Sequence, residues 1–184
     1  SNWWNLYRWS GDGIQAVWPK EAEFGVPQWV FGASTYAFES ANRLVCAYNV
    51  AGVWQLAAID LATGNVTAIE TPCTSISSVR AKPGHVVYVG GSASEPDAVV
   101  VQERDAGMPR VLRRSSDIAL DPGYLSTPES IEFPTEQDRT AHGFLYRPHN
   151  RDFRAPEGER PPLLVMSHGG PTGAASTRFD LGTQ

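Results

Sequence analysis

The segment Ser167-His168-Gly169-Gly170-Pro171 follows directly on the apolar run Leu163-Leu164-Val165-Met166. Two glycines at the exit of a short buried strand leave bare backbone N–H groups facing a cavity. Acyl transfer needs such donors where a carbonyl oxygen turns into an oxyanion. Pro171 fixes the exit, and the small residues Thr172-Gly173-Ala174-Ala175-Ser176 continue it. A lone Gly-Gly pair is also simply what a tight turn requires. The apolar strand before the pair and the proline after it favour the chemical reading, in which His168, Gly169 and Pro171 shape the loop.

A nucleophile for such a site would occupy a Gly-x-Ser-x-Gly elbow, where glycines relieve crowding around a strained serine between a strand and a helix. Gly32-Ala33-Ser34-Thr35-Tyr36 and Gly90-Gly91-Ser92-Ala93-Ser94 come near, but each lacks the final glycine and both precede the turn. Pro96 further discourages a helix after the second. Both read as turns between strands, so the 184 residues hold no nucleophile, and His85, His142, His149 and His168 have no elbow to serve as base. No Cys/His spacing suits zinc, no acidic loop suits calcium, and no glycine-rich cradle ends in Lys-Ser or Lys-Thr, so neither metal nor cofactor is expected. Glu21 and Glu23 could hold the amine of a peptide by charge-assisted hydrogen bonds, or belong to a solvated loop with a helical first turn.

Composition narrows the function classes. With 41% hydrophobic and 19% charged residues the chain reads as globular, and a net charge of −5 argues against a nucleic-acid partner. Only Arg110, Arg113 and Arg114 cluster, as on the solvated side of a strand. Cys46 and Cys73 allow at most one disulfide, which suits a reducing compartment, and no apolar run approaches the roughly 18 residues of a membrane span. A cytoplasmic location without a membrane partner is expected. The start at Ser1, without Met and within strand-like sequence, reads as a cut.

The elements that must position the turn are strands. From Trp3 to about residue 116, runs of β-branched and aromatic residues alternate with Gly, Asn, Asp and Pro. Arg43–Asn49 matches His85–Gly91 at an offset of 42 residues, and each is followed by a hairpin pattern, Trp54–Asp60 into Val66–Ile69 and Val99–Asp105 into Arg110–Leu112. Leu6–Trp9 and Ile14–Trp18 read as the last hairpin of an earlier copy, joined by Ser10–Gly13. A period near 42 with about four strands per copy fits β-propeller blades; a β-sandwich is the alternative. The six tryptophans, at 3, 4, 9, 18, 29 and 54, fit packing between blades, or an aromatic platform for a glycan. Beyond Asp121-Pro122-Gly123 the repeat is lost, and Glu129–Phe133, Ala141–Pro148 and Leu163–Met166 read as three strands, the last a central strand covered on both faces. The expected fold is mainly β: a partial β-propeller of about two and a half blades over residues 1–123, then the first strands of an α/β-hydrolase domain over 124–184.

This combination resembles the prolyl oligopeptidase family of serine peptidases, and most closely its acylaminoacyl-peptidase and dipeptidyl aminopeptidase-like members. The resemblance is carried by Glu21–Trp29, Ser75–Val79, Leu112–Ser116, Tyr124–Glu129, Ile131–Pro134 and Ser167–Gly173. It implies a propeller that restricts access to short peptides and a hydrolase domain that cuts near their N-terminus through Ser, Asp and His. It also implies that the backbone N–H of Gly170 is an oxyanion donor. The elbow, acid and base of the family are absent from this sequence, so the chain alone is expected to be inactive and, with unpaired blade edges, prone to self-association. The competing expectation is a non-catalytic propeller module that binds a peptide, glycan or protein.

Overall fold

A computed structural model describes residues 2–104, 108–170 and 172–184. Among them, twelve strands form four antiparallel sheets. The opening hairpin pairs β1 (Tyr7–Ser10) with β2 (Gly13–Ala16) in a register that joins Ser10 to Gly13. Its turn is therefore the two residues Gly11-Asp12, tighter than the four the sequence suggests. Two four-stranded sheets follow. The first is β3 (Tyr36–Ser40), β4 (Arg43–Val50), β5 (Val53–Asp60) and β6 (Val66–Ile69); the second is β7 (Ser75–Lys82), β8 (His85–Gly91), β9 (Ala98–Glu103) and β10 (Arg110–Arg114). Each sheet runs in chain order, and the 42-residue offset relates β4 to β8, the second strand of each.

The middle sheet shows why its sequence is apolar almost without interruption. Side chains alternate across a strand, so β4 and β5 offer two faces. Val45, Ala47, Leu56 and Ala58 pack against Ile76, Val79, Val86, Tyr88, Ala98 and Val100 of the second sheet. Leu44, Cys46, Tyr48, Ala57 and Ile59 pack against Ala22, Phe24, Leu6, Val17 and Trp18 from the opening segment. A sheet buried on both faces has no polar side, which is the condition of a blade inside a propeller. Trp18 meets Phe24 and Tyr48 edge-on, with ring centroids 5.4 and 5.0 Å apart, so this tryptophan packs between blades.

The connection from β2 to β3 lacks the regular structure that would satisfy its own backbone, and Asn5 supplies partners instead. Its side chain donates to the carbonyls of Lys20 and Ala22 and accepts from the Lys20 N–H. Past residue 123, β11 (Pro128–Pro134) and β12 (Thr140–Tyr146) form a separate hairpin, as the sequence suggests. The third expected strand does not form. Leu163–Met166 takes no strand conformation, and its residues are 68–81% exposed. A central strand exists through hydrogen bonds to neighbours on both sides, and no described strand pairs with this run.

Candidate functional site

The turn after the apolar run has the backbone that two glycines allow. Gly170 lies at φ +74°, in the left-handed region that penalises any residue with a Cβ. Around Gly169 and Gly170 the space is open: a Cβ built on either would meet nothing within 4 Å. Gly173 is a glycine for a different reason. A Cβ there would stand 2.3 Å from the carbonyl oxygen of Gly169 and 3.0 Å from Nδ1 of His168, so the chain closes on itself behind the turn. The expectation for Pro171 falls outside the described residues. The arrangement leaves the Gly170 amide at an open, compact turn, a geometry able to present an N–H to an oxyanion.

What holds this turn is a strap that the sequence reading missed. Beyond the turn the chain returns to successive connections of the two sheets. Trp29 Nε1–H donates to Thr172 Oγ1 at 2.9 Å, and Thr177 Oγ1 lies 3.0 Å from Thr74 Oγ1. Arg178 faces Asp97 at 3.7 Å, and the Gln184 amide donates to the carbonyls of Ala93 and Ser126. Thr177 is buried, alone among the residues of this strap. These partners share one end of the antiparallel sheets, where β4, β6 and β8 finish and β5, β7 and β9 start. The β11–β12 hairpin rests on the same end: Ser130 Oγ donates to the Ala51 carbonyl, and the Phe144 ring lies against Gly52 in the turn between β4 and β5. Long-range pairs of Trp, Thr and Gln carry no pattern in sequence that marks them as partners.

The remaining candidates are distributed as follows. Glu23 lies in this same region, bridged to Asn49 through both backbone groups, with its carboxylate accepting the Trp4 N–H at 2.8 Å. Glu21 is exposed and has no partner among the described residues, and neither glutamate stands in a helical turn. Ser34 is bound to backbone, its Oγ 2.9 Å from the carbonyl oxygens of both Tyr36 and Val79. Ser92 Oγ accepts from the N–H groups of Ser94 and Glu95, as a turn residue does. His85 faces the Pro83 carbonyl and His142 faces Glu132, so no described histidine is set against a serine. Cys46 and Cys73 are both free thiols.

The opposite end of the sheets carries a second cluster absent from the sequence reading. The Glu39 carboxylate, 4% exposed, accepts the Gly84 N–H at 2.8 Å, faces Arg43 Nε at 2.7 Å and is paired with Arg104. These groups line a cleft of about 240 Å³ between the two sheets. The only trace of it in sequence is the Glu39/Arg43 spacing across the β3–β4 turn.

No protein-family model matches the chain, and no curated protein sequence matches it. Solved structures do. Over 97% of its length the chain matches part of a puromycin-hydrolyzing peptidase from Mycobacterium tuberculosis, with a TM-score of 0.89 and 34% identity, covering 28% of that peptidase. It matches a puromycin hydrolase with a TM-score of 0.85 and 28% identity over 97% of this chain and 27% of the hydrolase. A structure from a study of prolyl endopeptidases has the same fold, with a TM-score of 0.62 at 20% identity, over 96% of this chain and 24% of its own. The chain spans about a quarter of the length of each. Along nearly its whole length the chain is therefore similar to one part of peptidases of the prolyl oligopeptidase family.

Proposed function

We propose that this chain is the part of a serine peptidase that joins the end of a propeller to the start of an α/β-hydrolase domain, and that the Gly170 N–H is one donor of its oxyanion hole. The observation that carries the reading is the left-handed Gly170 at an open turn, strapped to one end of the propeller sheets. The propeller end would admit short peptides and direct the cut near their N-terminus, as in dipeptidyl aminopeptidases and acylaminoacyl-peptidases, with the exposed Glu21 of the β2–β3 connection as a carboxylate for a free amine. The match to enzymes named for puromycin hydrolysis supports puromycin as a first probe substrate.

The same reading makes the 184-residue chain inert by itself. Loss of one oxyanion donor slows an acyl transfer by about a hundredfold to a thousandfold, whereas loss of the nucleophile and its base removes the covalent route. The purified chain is expected to leave puromycin and aminoacyl arylamides intact. Turnover that persists through repurification would overturn this. On the outer face of β8 and β9, Val87, Val89 and Val99 are half-buried and belong to neither apolar cluster among the described residues, and with its unpaired strand edges the chain is also expected to self-associate in solution. Sedimentation at a monomer mass across the micromolar range would contradict that.

A further inference from the structure

Trp29 sits on the connection between β2 and β3, a chain distance of 143 residues from the threonine that it contacts. The local turn is closed by a hydrogen bond from the Val30 N–H to the Pro27 carbonyl and by Gly32 at φ +76°. Trp29 is 68% exposed, so it contributes little to either apolar cluster. Core packing, which accounts for Trp18 and Trp54, does not account for it. Its one directional interaction among the described residues is the 2.9 Å hydrogen bond from Nε1–H to Thr172 Oγ1. Thr172 is two residues beyond Gly170 and immediately before Gly173, the residue that backs onto the Gly169 carbonyl. Upstream of the turn, Leu163–Met166 forms no strand and pairs with no described strand. The next anchor downstream is Thr177 on Thr74. The indole therefore holds the turn at its nearer side.

We infer that Trp29 is a positioning residue for the oxyanion turn: a propeller side chain that fixes the direction of the Gly170 N–H through Thr172. This rests on the reading of Gly170 as a donor, but the tether itself can be tested without it. A donor acts only if it points at the developing charge, and a displacement of about 1 Å can cost on the order of a hundredfold in rate. A side chain that keeps the turn still thus acts on kcat rather than on substrate binding.

Hydrogen exchange of the 184-residue chain, followed by mass spectrometry over residues 163–178, tests the tether. Trp29→Phe keeps the ring and removes the donor; Thr172→Val keeps the shape and removes the acceptor; Thr172→Ser restores the acceptor. One hydrogen bond of ordinary net strength predicts exchange about fivefold faster at residues 168–174 in Trp29→Phe and in Thr172→Val. The double variant should exchange no faster than either single variant, Thr172→Ser should match the unsubstituted chain, and β4 and β5 should be unaffected in all. Unchanged exchange in Trp29→Phe, or additive effects in the double variant, would overturn the tether. In an active chimera carrying this segment, Trp29→Phe should lower kcat severalfold with KM unchanged, and a change in KM alone would overturn the positioning role. If Gly170→Ala leaves kcat of that chimera intact, the donor reading fails while the exchange result stands, so the two failures are distinct.

Discussion

Gly170 and Gly173 are glycines for opposite reasons, and substitution separates them. At Gly170 the constraint is the backbone angle, with open space around it; at Gly173 the constraint is the Gly169 carbonyl 2.3 Å from any added Cβ. Backbone cannot rotate aside as a side-chain tip can. Gly173→Ala is expected to force the turn open, seen as faster amide exchange at 168–174 with an unchanged melting temperature, because the turn is exposed. A wild-type exchange pattern would show that the close approach is absent. Buried titratable groups give a second residue-scale test. Burial pushes the Cys46 thiol from its usual 9.0 up to about 12, and burial likewise pushes the Tyr88 phenol from 10.0 up to about 12. Both groups are held protonated in the folded chain, so their contribution is full below about pH 9 and is lost as pH rises toward 12. Stability against urea should fall across that window by at most about 1.4 kcal/mol per pH unit for each group. Cys46→Ala should make the fall shallower, whatever packing it costs at neutral pH; an unchanged slope would contradict the account. Of these residues the Gly-Gly pair was legible, because an apolar run ending in two glycines and a proline is a local pattern. Gly173 was not, since its role depends on where the chain comes back.

At the scale of elements, the strands of the two sheets were legible because a blade covered on both faces must be apolar at every position and must repeat. β4 and β8 show both properties. The apolar run Leu163–Met166 shows the limit of the same argument. Four apolar residues describe a strand that has partners, and here no described strand supplies them. Leu164→Ser should therefore shift the unfolding free energy of this chain by no more than about 0.5 kcal/mol, whereas a loss of about 2–5 kcal/mol would show a buried side chain. The β4–β5 turn makes the reverse point. Ala51 and Gly52 both lie at positive φ, +50° and +83°, and a Cβ on Gly52 would come within 2.2 Å of the Phe144 ring. Gly52→Ala should strain the turn and swing the Phe144 ring off the sheet end, loosening the β11–β12 hairpin toward limited proteolysis, and protection equal to that of the unsubstituted chain would count against the contact.

For the whole molecule, the two ends of the sheets do different work. One end receives the strap, the hairpin and the turn; the other is closed by Glu39 between Arg43 and Arg104. Removing one member of a buried ionic cluster leaves the others uncompensated, at a cost of about 3 kcal/mol when the partners keep some contact with water. Glu39→Ala should lower unfolding stability by about that amount and leave exchange at the turn unchanged. Beyond the Glu39/Arg43 spacing neither end was legible in advance, because the Gly84 and Arg104 partners of Glu39 and the contacts of the strap join residues far apart in the chain.

The central claim is that the Gly170 amide serves a peptidase active site, and a chimera tests it most directly. Residues 1–184 would replace the matching 28% of the Mycobacterium tuberculosis puromycin-hydrolyzing peptidase, and kcat on puromycin would be measured with Gly170 and with Gly170→Ala. A Cβ at φ +74° costs about 1–2 kcal/mol, which the turn sheds by rotating the amide away from its direction, and the account predicts a loss of about tenfold in kcat with the fold intact by circular dichroism. Equal kcat for the two folded proteins would contradict it.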